Sequence, residues 1–283
     1  MPKFDSRNAF VAAGILSGLG LVAAGGIHAA EPSGLAPDLS SNDAAWVLAN
    51  PDYIAVTDGP SPTRNDPGHP YVTNNSFRAT GAQPTFRVAD LTNPNIKPWA
   101  KEVMKRENDR VLSGGIPYGA RQSCMPAGVP AFMGFAVVEP IHFMQTPKQV
   151  TMIFSGDAQV RHVYLDVPHS PNPKPSWYGE SVGHYEGDTL VVDTIGMNDK
   201  TYLDNFRTPH SEKLHVVERY RLADDGKTLQ VTFRVEDPNT FYEPWSAINN
   251  FKRIQMPMHE EACAENNQHL FDYQMPLAGK PDF

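Results

Sequence analysis

Eight short runs between Ile141 and Met256 have strand character, and no segment of helical period interrupts them. They cover 141–145, 150–154, 160–165, 182–185, 189–194, 214–222, 228–235 and 247–256. β-Branched and aromatic residues dominate these runs, and turn residues separate most of them. A parallel α/β sheet would need crossover helices, so this series predicts an antiparallel sandwich or barrel instead. Two hairpin signals support it, Glu186-Gly187-Asp188 and Asp224-Asp225-Gly226-Lys227, where glycine supplies the backbone freedom of a tight turn. Connections are local except around Pro168 to Pro175 and Gly196 to Lys213. An up-and-down arrangement is therefore expected.

The resulting expectation is a mainly β chain: an antiparallel, lipocalin-like β-barrel over 121–270, preceded by a loop-rich arm over 31–120 and followed by a tail over 271–283. The arm is rich in Pro, Asn, Ser, Thr, Asp and Gly, with short apolar runs such as Trp46-Val47-Leu48. One short helix is expected in it. Pro98 starts it, Trp99, Val103, Met104, Val111 and Leu112 fall at roughly helical spacing, and Gly114-Gly115 ends it.

Residues 1–30 read as a secretory signal: Lys3 and Arg7, an apolar and small-residue run from Ala9 to Gly26, then small residues before Glu31. The run is too short and glycine-rich for a membrane span, so no span is expected after cleavage and a periplasmic or secreted location follows. Removing 1–30 takes away Lys3, Asp5 and Arg7 and leaves 22 basic against 31 acidic side chains, a net charge of −9. That balance excludes the basic footprint of a nucleic-acid binder and disfavours an anionic membrane surface. Cys124 and Cys263, far apart in an exported chain, are expected to form a disulfide; two separate buried thiols are the other possibility.

Strand alternation sorts the polar residues by face. Leu214, Val216, Glu218 and Tyr220 share one face of their strand, and His215, Val217, Arg219 and Arg221 the other, so Glu218 is expected among core residues. The same reasoning turns Arg161 inward with Val163 and Leu165, Asp193 with Val191, and Asp237 with Val235. A buried carboxylate must be paired, hydrogen-bonded or protonated. Glu218, Asp193 and Arg161 thus form either an acid–base pocket, with arginine stabilising an oxyanion, or an internal salt-bridge network. His210, on the long loop before that strand with Asp204, Ser211 and Glu212 nearby, is a second candidate base; His169 is a further loop histidine. Tyr164, Trp177, His184, Tyr185 and Trp245 are candidates to line an apolar ligand site, with β-core packing as the alternative.

Ten histidines call for a metal search, but His259-Glu260-Glu261 lacks the second histidine of HExxH, and no histidine pair has ligand spacing. There is no GxSxG nucleophile turn, GxGxxG or P-loop. Neither metal nor organic cofactor is expected.

Several segments resemble an uncharacterised family of exported bacterial β-rich proteins: Cys124 to Pro130, Gln145-Thr146-Pro147, Tyr164-Leu165-Asp166, Trp177-Tyr178-Gly179, Glu186 to Thr194, Pro209-His210-Ser211, Val217 to Tyr220 and Pro244-Trp245. The resemblance covers about Cys124 to Asn266 and implies that 120–270 is one unit. Met197 stands where the family has phenylalanine, and Ser155 lies near its glutamate. No activity comes with it. The expectation from the residues is a periplasmic, cofactor-independent enzyme doing lyase, isomerase or hydratase chemistry on a small apolar or aromatic molecule. Glu218 or His210 would be the base, Arg161 the oxyanion stabiliser and Asp193 the orienting carboxylate. A carrier with the same pocket and no turnover is the rival, and an envelope interaction protein using the arm a third.

Overall fold

The computed structural model describes residues 36–40, 43–50, 52–56, 59–73, 81, 85–117, 119–120, 124–134, 140–156 and 159–258, all within one compact unit, Pro32–Phe283. The signal over 1–30, the tail over 271–283 and Cys263 lie outside these residues.

Ten strands are present among the described residues: β1 (Ala44–Leu48), β2 (Ile54–Ala55), β3 (Ile141–Gln145), β4 (Gln149–Phe154), β5 (Gln159–Leu165), β6 (Glu180–Glu186), β7 (Thr189–Ile195), β8 (His215–Ala223), β9 (Thr228–Glu236) and β10 (Trp245–Gln255). The strands from β3 to β10 follow the eight sequence runs closely. They hydrogen-bond in the order β1-β3-β4-β5-β6-β7-β8-β9-β10, and β1 pairs again with β10, closing a nine-stranded barrel; β2 adds to β10. Closure removes the free outer edges that an open sheet would present.

Two features depart from the expected layout. β1 lies in the wall: Ala44–Leu48 pairs with Phe251 to Gln255 on one side and with His142 and Ile141 on the other. The loop-rich arm therefore contributes the strand that closes the barrel. The second departure is that the barrel is mixed, because β5 and β6 run parallel. A parallel neighbour requires the chain to cross back before pairing, and residues 166–179 make that return. This pairing covers only Val163, Tyr164 and Leu165 against Ser181, Val182 and Gly183, whereas β4 pairs with six residues of β5. The first half of β5 is left without a β6 partner.

Inward residues pack the barrel as alternation requires. Met152, Phe154, Val163, Val192, Val216, Tyr220, Val231, Phe233 and Phe251 belong to one apolar core. Gly183 is needed where β6 is squeezed between neighbours: an added Cβ would stand 2.8 Å from the Val191 carbonyl oxygen and 2.9 Å from Val163 Cγ1. Gly187, with φ of 61°, is the first of the two loop residues joining β6 to β7.

The helix α1 (Pro98–Leu112) has the expected ends, with Pro98 in its first turn and Gly114, φ 85°, just beyond its close. Its buried face is Ala100, Met104, Glu107 and Asn108, while Trp99 and Leu112 are exposed. The face is rotated because Asn108 is fixed by two hydrogen bonds to Ala89, at 2.9 Å each. A four-residue turn, α2 (Ala131–Gly134), packs Phe132 against Phe154 and Tyr178.

Candidate functional site

Alternation along β5 and β8 brings Arg161 and Glu218 together inside the barrel, both side chains fully buried. Arg161 Nη1 donates to Glu218 Oε1 at 3.1 Å, and Nη2 makes a shorter bond to Oε2. Nε and Nη2 donate to Ser181 Oγ at 3.2 and 3.1 Å, and Nη2 to Thr194 Oγ1 at 2.9 Å. Tyr220 donates its hydroxyl to Glu218 Oε1 at 2.9 Å. Burial opposes the Arg161 charge, but the facing carboxylate outweighs it and holds the guanidinium above its ordinary pKa. Burial and then Glu218 hold the Tyr220 phenol far above its own. The arrangement is a satisfied bidentate ion pair. The carboxylate and the guanidinium are held by these neighbours, and neither side chain is exposed.

His210 is buried too, with both ring nitrogens committed: Nδ1 lies 3.1 Å from the Ser211 carbonyl and Nε2 2.8 Å from Thr201 Oγ1. With Nδ1–H donating to the carbonyl, Nε2 accepts from threonine, which is a neutral imidazole. Burial keeps it so, lowering the pKa. Of the neighbours expected to orient it, only Ser211 touches it. Asp204 instead accepts from Phe206 N–H at 2.9 Å and from Thr208 Oγ at 2.7 Å. Burial raises Asp204 to about 6 despite those bonds. Asp204, Tyr53, Phe206 and Asn249 line a cavity of about 10 Å³, room for about one water. Asp237 is buried as expected and accepts from Ser211 N–H, Asn239 N–H and Thr240 Oγ at 2.6 to 2.9 Å. That is a strand-end cap.

Asp193 is not in the barrel interior. Its successor Thr194 points inward to Arg161, so Asp193 takes the outer face of β7. Sequence alternation misassigns it because Leu190, Val191 and Val192 are all buried and leave β7 no polar face to mark the outside. There its Oδ1 meets two imidazoles, His169 Nε2 and His215 Nε2, each at 3.0 Å. His169 Nδ1 in turn lies 3.1 Å from Glu180 Oε1. Burial works against the Asp193 charge, but the hydrogen bonds from His215 and His169 outweigh it and lower its pKa; the Asp193 bond raises that of His215. Among the described residues no group of histidines and carboxylates is arranged to hold a metal ion.

A cleft of about 320 Å³ opens in the outer wall where β5 and β6 part. Arg161, His162 and Tyr164 bound it from β5, and Lys174, Tyr178 and Glu180 from the returning chain and β6. The parting itself builds the cleft. Tyr178 fills the gap beside the unpaired half of β5, its hydroxyl bonded to Gln159 Oε1 and its ring 5.5 Å from that of Phe132. His162 and Tyr164 stack on the outer face at 6.5 Å. Met197 supports the floor, since a Cβ on Gly179 would stand 3.0 Å from its Cγ.

Of the residues expected to line a ligand site, Tyr164 alone borders this cleft. Trp245 is a core residue packed on Tyr53 and Phe241. Tyr185 is half-buried, its hydroxyl accepting from Gln145 Nε2 at 2.9 Å. His184 is exposed beside Glu186, and Trp177 is half-buried in the return before β6. Tyr178 stands in the Trp177-Tyr178-Gly179 segment of the resemblance, whereas His162, Lys174 and Glu180 were not singled out by sequence. Only the length of the 166–179 connection could have pointed to them.

Comparison with protein-family models, with characterised proteins and with solved structures finds no match for this chain.

Proposed function

We propose that the chain is a small-molecule-binding protein of the cell envelope, holding its ligand in the cleft between β5 and β6. The cleft carries the reading. Its volume of about 320 Å³ falls in the range of small-ligand sites, about 300 to 1,000 Å³. The exposed His162–Tyr164 stack offers a ring face, and Lys174 offers a cation that has no carboxylate partner among the described residues. The ligand class is a small, largely apolar aromatic molecule bearing an anionic group. Export through residues 1–30 and a Cys124–Cys263 bridge belong to the same proposal.

A proton-transfer enzyme is the second reading, favoured by one observation. Glu180 borders the cleft and ends the chain of contacts His215–Asp193–His169–Glu180. Lyase, isomerase or hydratase chemistry would then use that chain and not Glu218, His210 and Arg161, whose bonding capacity is spent on neighbours.

The test is incubation of the purified mature protein with mixtures of aromatic and terpenoid acids, followed by native mass spectrometry and product analysis. Retention without turnover, lost in Tyr164→Ala, is the expected outcome. Turnover abolished by Glu180→Gln would replace the carrier reading with the enzyme one, and no retention would remove both.

A further inference from the structure

Residues 166–179, which return the chain from β5 to β6, carry Pro173 and Lys174 into the cleft wall. Beyond them the segment is anchored by main chain. Ser176 N–H donates to Gly196 O at 3.0 Å, and Asn198 N–H to Ser176 O at 2.8 Å. Before them Asp166 N–H donates to Gly183 O at 2.8 Å, and from there to Pro173 the anchors involve ionisable side chains. Ser170 donates its N–H and hydroxyl to Glu180 at 2.6 and 2.5 Å, and His169 sits between Glu180 and Asp193.

The proton count at His169 is decisive. A carboxylate only accepts, and a neutral imidazole has one N–H. With a carboxylate oxygen 3.1 Å from Nδ1 and another 3.0 Å from Nε2, both contacts are hydrogen bonds only in the imidazolium form. The groups facing this ring come from three strands: Glu180 of β6, Asp193 of β7 and, sharing the Asp193 oxygen, His215 of β8. Glu236 and Arg234 of β9 act on His215. The acceptors persist into acid. The Ser170 hydroxyl bond lowers the Glu180 pKa, and the two histidines lower that of Asp193.

We propose that His169 is a proton-operated clasp: as imidazolium it pins residues 168–175 to the barrel wall and completes the cleft, and on losing its proton it releases that wall and weakens ligand binding. This rests on the reading of the cleft as the ligand site. The sign follows from the bonds. The clasp is closed while the ring carries both protons, and one of its two bonds loses its hydrogen when the ring gives one up.

The experiment uses the mature chain and anilinonaphthalene sulfonate, an aromatic anion, as probe, between about pH 5.5 and about pH 8.5, either side of the ordinary histidine pKa. Two quantities are read: probe affinity, and the hydrogen-exchange protection of the Ser170 amide corrected for intrinsic rate. Across that range both fall in the wild type, affinity by about fivefold or more, the lower end of ordinary site coupling. In His169→Gln both stay at the weak, high-pH value, and His215→Gln keeps the transition. Ser170 protection that is flat in the wild type, or that still falls in His169→Gln, overturns the clasp. If protection follows His169 but probe binding is unaffected by Tyr164→Ala, the clasp stands and the cleft is not the ligand site.

Discussion

Replacing Arg161 with methionine is the sharpest perturbation of the barrel interior. The guanidinium makes five hydrogen bonds, two to Glu218, two to Ser181 and one to Thr194. Ser181 and Thr194 lie 2.9 Å apart and still satisfy each other without it. Glu218 does not recover in the same way, since among the described residues Tyr220 is its one remaining donor and its side chain is fully buried. Breaking a buried pair from one side costs about 3–5 kcal/mol, a large part of the roughly 5–15 kcal/mol that holds a domain together. Replacing both partners with apolar residues of similar volume removes the unpaired charge. Arg161→Met/Glu218→Leu is therefore expected within about 2 kcal/mol of the wild type, and with each single break costing about 3 kcal/mol or more the coupling between the sites is about 4 kcal/mol or more. Urea unfolding at neutral pH, followed by tryptophan fluorescence, measures Arg161→Met, Glu218→Leu and the double variant. A cost below about 1 kcal/mol for Arg161→Met would refute the reasoning, because Glu218 would then not depend on arginine and would again be available as a base.

Two further outcomes follow from the geometry. Asp204 is raised by folding from 3.8 to about 6, so the folded state binds its proton more readily than the unfolded chain, and stability should rise as pH falls from about 7 to about 4. At about 1.4 kcal/mol for each pH unit the gain is about 3 kcal/mol; Asp204→Asn should remove that arm of the stability–pH curve, and an unchanged curve would contradict the burial argument. Gly183→Ala should cost about 1–3 kcal/mol by overpacking, since its Cβ would meet the Val191 backbone oxygen 2.8 Å away, and a thermal melt indistinguishable from wild type would contradict the close approach.

The strands were legible because a half-buried strand repeats every two residues. β5 and β8 alternate between buried and exposed, and Val163 and Leu165 in one and Val216 and Tyr220 in the other mark the inner face, so the inward turn of Arg161 and Glu218 could be read directly. β7 could not be read this way, since three consecutive apolar residues erase the alternation, and Asp193 was assigned to the wrong face. The parallel pairing of β5 with β6 leaves no mark on either strand, because the path of the connection sets it. β1 escaped notice as five residues inside a proline- and asparagine-rich arm, although Ala44 to Trp46 are among the most buried positions. The cluster around Asp193 joins residues 24 and 22 positions away from it, a spacing that matches no motif. The cleft arises from two strands parting and has no residue pattern of its own.

The claim that a ligand occupies the β5/β6 cleft is tested most directly by mapping amide and side-chain chemical shifts of the mature protein while an aromatic acid is titrated in. Saturable changes concentrated at His162, Tyr164, Lys174 and Tyr178 are predicted, with Glu218 and His210 unmoved. Saturable changes centred on Trp245, Tyr185 or Glu218, with the cleft silent, would contradict it.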